Sequence, residues 1–262
     1  MTNRIRLADL WDHGLAYMRR NNTLLVPVAA AFFFLPSVLL SSFLPQSPAE
    51  FSHAPAILAL VAILLCQLVG QLAILTLMIG GGRPTVGESL VRAGSRLPAA
   101  LGVMFFFGAL VVAVLIVAQL LVMTIGGGRN ATTMMALSLV IASPFLAYLI
   151  GRAAMALPVL AGENLSLPHA IRRAFTLSAG HGWQIAGLLL VAMSLYLLVQ
   201  LVLGMSIGGV FLLLERLIGL AGIGGLLVTL MLSAIAAATN LIITVGTALI
   251  YRDLAAQSIR GR

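Results

Sequence analysis

Apolar residues fill this chain in long runs separated by short polar stretches. Six runs are long enough to cross a hydrocarbon core of ~30 Å, which takes about 20 helical residues. They cover residues 24–44, 54–80, 97–125, 131–161, 183–205 and 223–251. Each has to be helical, because an open strand would leave backbone N–H and C=O groups unpaired in lipid. The pattern predicts an all-α fold: a polytopic six-helix transmembrane bundle forming a single integral membrane domain over residues 1–262. Pro144, inside the fourth run, is expected to kink it. "GGVFLLLERLIGLAG", Gly208 to Gly222, is too short and too interrupted for a further span and reads as a short interfacial helix.

A second pattern lies between the runs. In "SLPHAIRRAFTLSAGHGW", Ser166 to Trp183, the residues Leu167, Ala170, Ile171, Ala174 and Phe175 fall on one helical face. His169, Arg172, Arg173 and Thr176 fall on the other, and Ser166 is placed to cap the start. This is the pattern of a helix lying in the membrane surface with its arginines among lipid headgroups. A similar pattern, "TVGESLVRAGSR" from Thr85 to Arg96, stands 81 residues earlier, with Leu90, Arg92 and Ala93 in the places of Ile171, Arg173 and Ala174. Thr85 and Glu88 have capping-box spacing. A third copy opens the chain in "LADLWDHGLAYMRR", where Leu7, Leu10, Trp11, Gly14, Leu15 and Met18 face one way and Asp9, Asp12, His13, Arg19 and Arg20 the other. The chain thus reads as three parallel repeats, at about 1–80, 81–161 and 162–262, each an interfacial amphipathic helix plus a transmembrane hairpin.

Composition agrees. The chain is 61% hydrophobic and 8% charged, with mean hydropathy +1.12, where soluble domains carry roughly 25% charged residues. The net charge of +8 comes from 15 arginines and no lysine. With the spans drawn as above, 13 arginines and five acids share one side, and two arginines (Arg129, Arg216) and two acids (Glu50, Glu215) share the other. The positive-inside bias then places both termini in the cytoplasm. The excess charge is therefore a topological signal, and nucleic acid is not an expected partner. The first apolar run is expected to be retained as a span rather than cleaved as a leader.

Little in the sequence suggests chemistry. The lone cysteine, Cys66, excludes a disulfide framework and a thiolate metal site. The four histidines, His13, His53, His169 and His181, lie near interfaces without metal-ligand spacing. "GGGRP" and "GGGRN" lack the Lys and Ser/Thr of a phosphate loop and read as turns. No metal, cofactor or enzymatic activity is expected. Polar groups at membrane depth, Gln67, Gln71, Gln119, Gln200, Asn240 and Thr244, fit either interhelical hydrogen bonding or the lining of a polar cavity. Arg152, near the end of the fourth run, has three readings: snorkelling to the interface, pairing with Glu163, or binding a lipid phosphate together with Arg172 and Arg173.

The segment "GRAAMALPVLAGENLSLPHAIRRAFTLSAGHGWQIAGLLLV" carries Arg152, Pro158, Glu163, Ala170, Arg172, Arg173, Gly180, Trp183 and Gly187, and the chain closes with "TALIYRDLAAQ". This resembles the glycerophosphoryl diester phosphodiesterase membrane-domain family and its stand-alone bacterial relatives. In that family a glutamate after a span precedes the helix, which ends in Leu-x-x-Gly and an aromatic, and a Tyr-Asp-Leu terminus is typical. The present chain departs at Ala174, Phe175 and Arg252. The resemblance implies a bacterial inner-membrane location. It implies no catalysis, since the family's phosphodiesterase chemistry belongs to a separate soluble domain.

The expected function is that of a non-enzymatic lipid-interacting scaffold or accessory subunit. Its partners would be anionic membrane lipids, with a membrane-protein partner or a second copy also possible through small residues such as Ala234 and Ala238. Arg92, Arg96, Arg152, Glu163, Arg172, Arg173, Trp183, Tyr251 and Asp253 are the candidate headgroup or interface residues. The alternative is a transporter or lipid translocase with a polar intramembrane cavity.

Overall fold

The computed structural model describes Gly14 and residues 16–43, 54–80, 84–125, 130–163, 165–218 and 223–260. Of the first amphipathic copy, Gly14 and residues 16–20 are helical; Leu7, Asp9, Leu10, Trp11, Asp12, His13 and Leu15 lie outside the described residues, as do Glu50, His53, Arg83 and Arg129.

Regular structure among the described residues is entirely helical. The order is α1 (Asn22–Ala29), a π-helical turn (Ala30–Phe34), α2 (Leu35–Phe43), α3 (Ala54–Ile79), α4 (Val86–Ile125), α5 (Ala131–Ala153), α6 (Ala156–Gly162), α7 (Leu167–Leu177), α8 (Gly182–Ile218) and α9 (Ile223–Arg260). Six stretches are long and apolar enough to cross a membrane: Asn22–Leu39, Ile57–Ile79, Val86–Thr124, Thr132–Gly162, Gly182–Phe211 and Ile223–Gln257. They coincide with the six apolar runs. Many of their side chains point away from the protein, among them Phe105 at 75% exposure and Met205 at 74%, as lipid-facing positions do.

Three of the helices, α4, α8 and α9, are longer than the runs predict. Thr85 and Glu88 form the expected capping box: the Thr85 N–H donates to Glu88 Oε2 and the Glu88 N–H to Thr85 Oγ1, both at 3.3 Å. The helix they start does not stop at the membrane surface, however. α4 continues for 40 residues through Pro98, about 60 Å at 1.5 Å per residue. Gly94 and Pro98 both lie on its exposed side, so the carbonyl that Pro98 leaves without a donor is not sealed inside the protein. The segment expected as a separate helix before residue 223 is likewise the end of α8, which runs unbroken to Ile218. The fourth span is helical through Pro144 and is interrupted at residues 154–155.

The chain packs as two units, residues 1–95 with 191–249, and residues 96–190 with 250–262. In the first unit, Pro36 shapes the opening span. Within an α-helix its ring would collide with the carbonyl of Phe32. The turn before it widens, and the Leu35 N–H bonds back five residues to Ala30 O. The widened turn rests on α3 at Gly70, where a Cβ would stand 2.4 Å from Phe32 Cβ and 3.3 Å from the Phe33 ring. Ser37 Oγ donates to Phe33 O at 2.6 Å and receives Gln67 Nε2 at 3.5 Å. The 191–218 part of α8 meets α9 through small residues. Gly204 faces Leu232, Gly208 faces Val228, and Gln200 Nε2 donates to Leu232 O at 3.1 Å and to Tyr196 Oη at 2.9 Å. Glu215 Oε2 closes this hairpin by accepting the Gly225 N–H at 3.3 Å, in the first turn of α9.

The buried residues of the capped start of α4 are Ser89 and Ala93, both 0% exposed. Ser89 and Ala93 correspond in register to Ala170 and Ala174 of α7, both also 0% exposed. Ser89 Oγ has no hydrogen-bond partner.

Two substitutions probe this packing. Gly70→Ala should lower stability by about 1–3 kcal/mol, since neither Phe32 nor the π turn can withdraw without repacking. Ser89→Ala should raise it by roughly 1 kcal/mol by removing an unpaired buried hydroxyl. Thermal unfolding of the detergent-solubilised chain reads both, and equal melting temperatures for the two variants would contradict this packing.

Candidate functional site

The polar side chains of the second unit gather around α7, the amphipathic helix between the fourth and fifth spans. Its apolar face is placed as the spacing predicts. Ala170, Ala174 and Leu177 are buried, Leu167, Ile171 and Phe175 half-buried, and His169, Arg172 and Thr176 exposed. Leu167 lies against Gly102 of α4, where a Cβ would come within 2.7 Å of its Cδ2. Phe175 stacks on Phe107 of the same helix, 6.0 Å between centroids with the rings 8° from parallel. Ser166 takes the extended backbone of an N-cap, but its hydroxyl is 2.8 Å from His169 Nδ1 rather than on a backbone N–H. The chain leaves α7 through Gly180, whose φ of +83° is the left-handed conformation that glycine adopts without penalty.

Arg152 does not pair with Glu163; its partners lie on α5 and α7. From the last turn of α5 its Nη1 donates to Phe175 O, near the C-terminal end of α7, at 2.5 Å. Its Nη2 donates to Tyr148 Oη, one turn back on its own helix. The guanidinium lies over both rings, 4.9 Å from the Tyr148 centroid and 5.1 Å from that of Phe175. The cation meets the negative end of the α7 dipole and two π faces at once. Gly182 borders the site, and Gly151 lets α8 come close: a Cβ there would be 2.3 Å from Gly182 O. Arg152 Nε is buried and has no partner. Trp183, 60% exposed, leans on Tyr148 with centroids 6.0 Å apart.

Glu163 pairs with Arg173, not with Arg152. Arg173 Nε stands 3.3 Å from Glu163 Oε1, with the two side chains 32% and 29% exposed. The same oxygen accepts Tyr251 Oη at 3.0 Å, from a residue 88 positions later in α9. Arg96 of α4 donates from Nη1 to Leu160 O in α6. Glu163 thus joins Tyr251 of α9 to Arg173 of α7, and Arg96 ties α4 to α6. Arg172, Arg252 and Asp253 are exposed beside these residues in sequence, and Arg92 is exposed on the capped start of α4.

The polar residues at depth stand apart from this cluster. Gln67 and Gln200 bond to neighbouring helices as described above. Asn240 accepts Thr244 Oγ1 through its own carbonyl at 2.7 Å, and Thr247 Oγ1 likewise donates to Thr244 O. Gln71 and Gln119 are half-buried in α3 and α4. Sequence reasoning missed Tyr148 and Phe175 as partners of Arg152. Tyr148 had a legible signal in its i, i+4 spacing to Arg152, whereas the carbonyl of Phe175 had none. Among the described residues no group of three or more His, Cys, Asp or Glu could hold a metal ion.

The chain matches no protein family, no curated protein and no solved structure.

Arg152→Lys should loosen α7. A lysine keeps the charge but loses the two-pronged donation and the stacked plane, a loss of about 2 kcal/mol for hydrogen bonds to a charged group. Amide hydrogen exchange over residues 167–178 should speed up by at least about tenfold, and Arg172→Ala should leave it unchanged. Equal exchange in the two variants would mean that Arg152 does not hold α7.

Proposed function

We propose that this chain is a non-enzymatic, lipid-interacting scaffold or accessory subunit of a bacterial inner membrane, with both termini and α7 on the cytoplasmic face. The observation that carries the reading is the attachment of α7. Its apolar side is seated on α4 and its end is tied to Arg152, so Arg172 is left facing outward on a surface helix that cannot bury it. Arg92, on the capped start of α4, offers a second exposed arginine in corresponding register, with Ser89 and Ala93 buried as Ala170 and Ala174 are. Three parallel repeats with a basic collar on one face are part of the proposal.

Kinship with the glycerophosphoryl diester phosphodiesterase membrane-domain family belongs to it as well. Support comes from the meeting of the two separated segments that carry the likeness: the glutamate after the fourth span accepts the tyrosine of the closing "YRDL". The hydrogen bonds of Gln67 and Gln200 fit helix packing and give no particular weight to the transport alternative.

Each arginine near an anionic membrane surface contributes about 1 kcal/mol. In bilayer nanodiscs of phosphatidylcholine with a minor share of phosphatidylglycerol, Arg172→Ala should therefore reduce the anionic lipid retained by the extracted chain about fivefold, measured by native mass spectrometry. Unchanged retention would remove the basis for reading α7 as a lipid-facing element.

A further inference from the structure

The Glu163–Arg173 pair is half-made. Arg173 approaches through Nε alone, and Tyr251 donates to the same carboxylate oxygen, so both donors converge on Oε1. Among the described residues, Glu163 Oε2 and both Nη groups of Arg173 have no partner. About a third of each side chain is exposed, so these atoms are open rather than sealed. A guanidinium fork with its two ends unused is the geometry that donates to two phosphate oxygens. An open carboxylate oxygen beside it accepts an N–H donor. The pair stands directly after the fourth candidate span, Thr132–Gly162, on the side occupied by α7, where lipid headgroups lie if the six spans cross a bilayer.

We infer that Glu163 and Arg173 form a subsite for a lipid headgroup carrying both a phosphodiester and a primary ammonium, the phosphate on the Arg173 fork and the ammonium on Glu163 Oε2. This rests on the reading of α7 as a headgroup-facing helix and adds selectivity to it. The four charges then alternate in sign around the site. A trimethylated ammonium has no N–H to donate to Oε2. A phosphate without a cation puts its negative charge beside the carboxylate with nothing to offset it. Phosphatidylethanolamine should accordingly outrank phosphatidylglycerol and phosphatidylcholine here, although Arg172 alone favours anionic lipid. Tyr251 fixes Oε1, and with it the direction of Oε2.

The test uses the full chain in nanodiscs containing equal parts of phosphatidylethanolamine, phosphatidylglycerol and phosphatidylcholine, with retained lipid read by native mass spectrometry. The wild type should retain phosphatidylethanolamine about tenfold over its bilayer share relative to phosphatidylglycerol, the size of one charge-assisted hydrogen bond. Glu163→Gln keeps an acceptor for Tyr251 and Arg173 but removes the charge, and should bring the ratio to about one. Tyr251→Phe removes a bond to Oε1 without discharging Oε2, and should keep a clear preference for phosphatidylethanolamine. A wild type without the preference, or a Glu163→Gln ratio equal to the wild type's, overturns the inference. Soluble phosphoethanolamine displacing the lipid as effectively as excess phosphatidylethanolamine would overturn its assignment to a lipid. If the Arg172→Ala, Arg173→Ala double variant retains as much total lipid as the wild type, the headgroup reading of α7 fails on its own account, separately from the selectivity.

Discussion

A guanidinium at the edge of an apolar layer needs acceptors within the protein, because the layer supplies none. Arg152 finds them in the carbonyl of Phe175 and the hydroxyl of Tyr148, with the rings of both residues within about 5 Å of its guanidinium. The second unit is arranged around that contact. Once the end of α7 is tied there, its alanine face seats, Phe175 stacks on Phe107, and Arg173 comes within reach of Glu163. Gly151 and Gly182 make the contact possible by letting the start of α8 pass close to the end of α5. The charge that composition alone would assign to the lipid surface is thus a fastening within the protein.

The first unit follows a different economy. Its helix pairs approach through glycines and are joined by single amide or hydroxyl bonds, Gln67 to Ser37 and Gln200 to Leu232 O. Burial of apolar surface in water cannot drive such pairing in a bilayer, where lipid tails are as apolar as leucine. Close backbone approach and a few well-placed polar groups take its place. Glu215, beyond the apolar part of α8, accepts the Gly225 N–H in the first turn of the following helix.

The spans were legible because their signal is length and apolarity, which membrane thickness fixes almost regardless of packing. The face of α7 was legible because a 3.6-residue period survives in eleven residues, and the start of α4 because a capping box is local. What escaped the sequence depends on partners far along the chain or on backbone atoms. The acceptor of Arg152 is a main-chain carbonyl 23 residues away, invisible to any residue pattern. The Tyr251 contact crosses 88 positions, and only the family likeness set those two segments side by side. The fusion of the second amphipathic stretch into α4 was missed because the apolar run begins only at Leu97, while the helix continues through Pro98 with the freed Gly94 carbonyl on its exposed side. Kinship, topology and headgroup contact rest on chemical argument from these residues.

The π turn at Ala30–Phe34 inserts a phase slip into the first span. An α-helix advances about 100° per residue, so the arm before the turn and the arm after it belong to two different angular registers, matched only because the wider turn absorbs the difference. Leu25, Ala29 and Phe33 can therefore follow one another at four-residue steps down a single buried line that an unbroken α-helix would carry slowly around its circumference. Removing one residue within the turn would let it close to an ordinary α turn with both arms near their present phase, whereas removing one elsewhere in the span would swing its leading arm by about 100°. In this chain, hydropathy and rotational phase are separately encoded, and Pro36 with Gly70 holds the second of them.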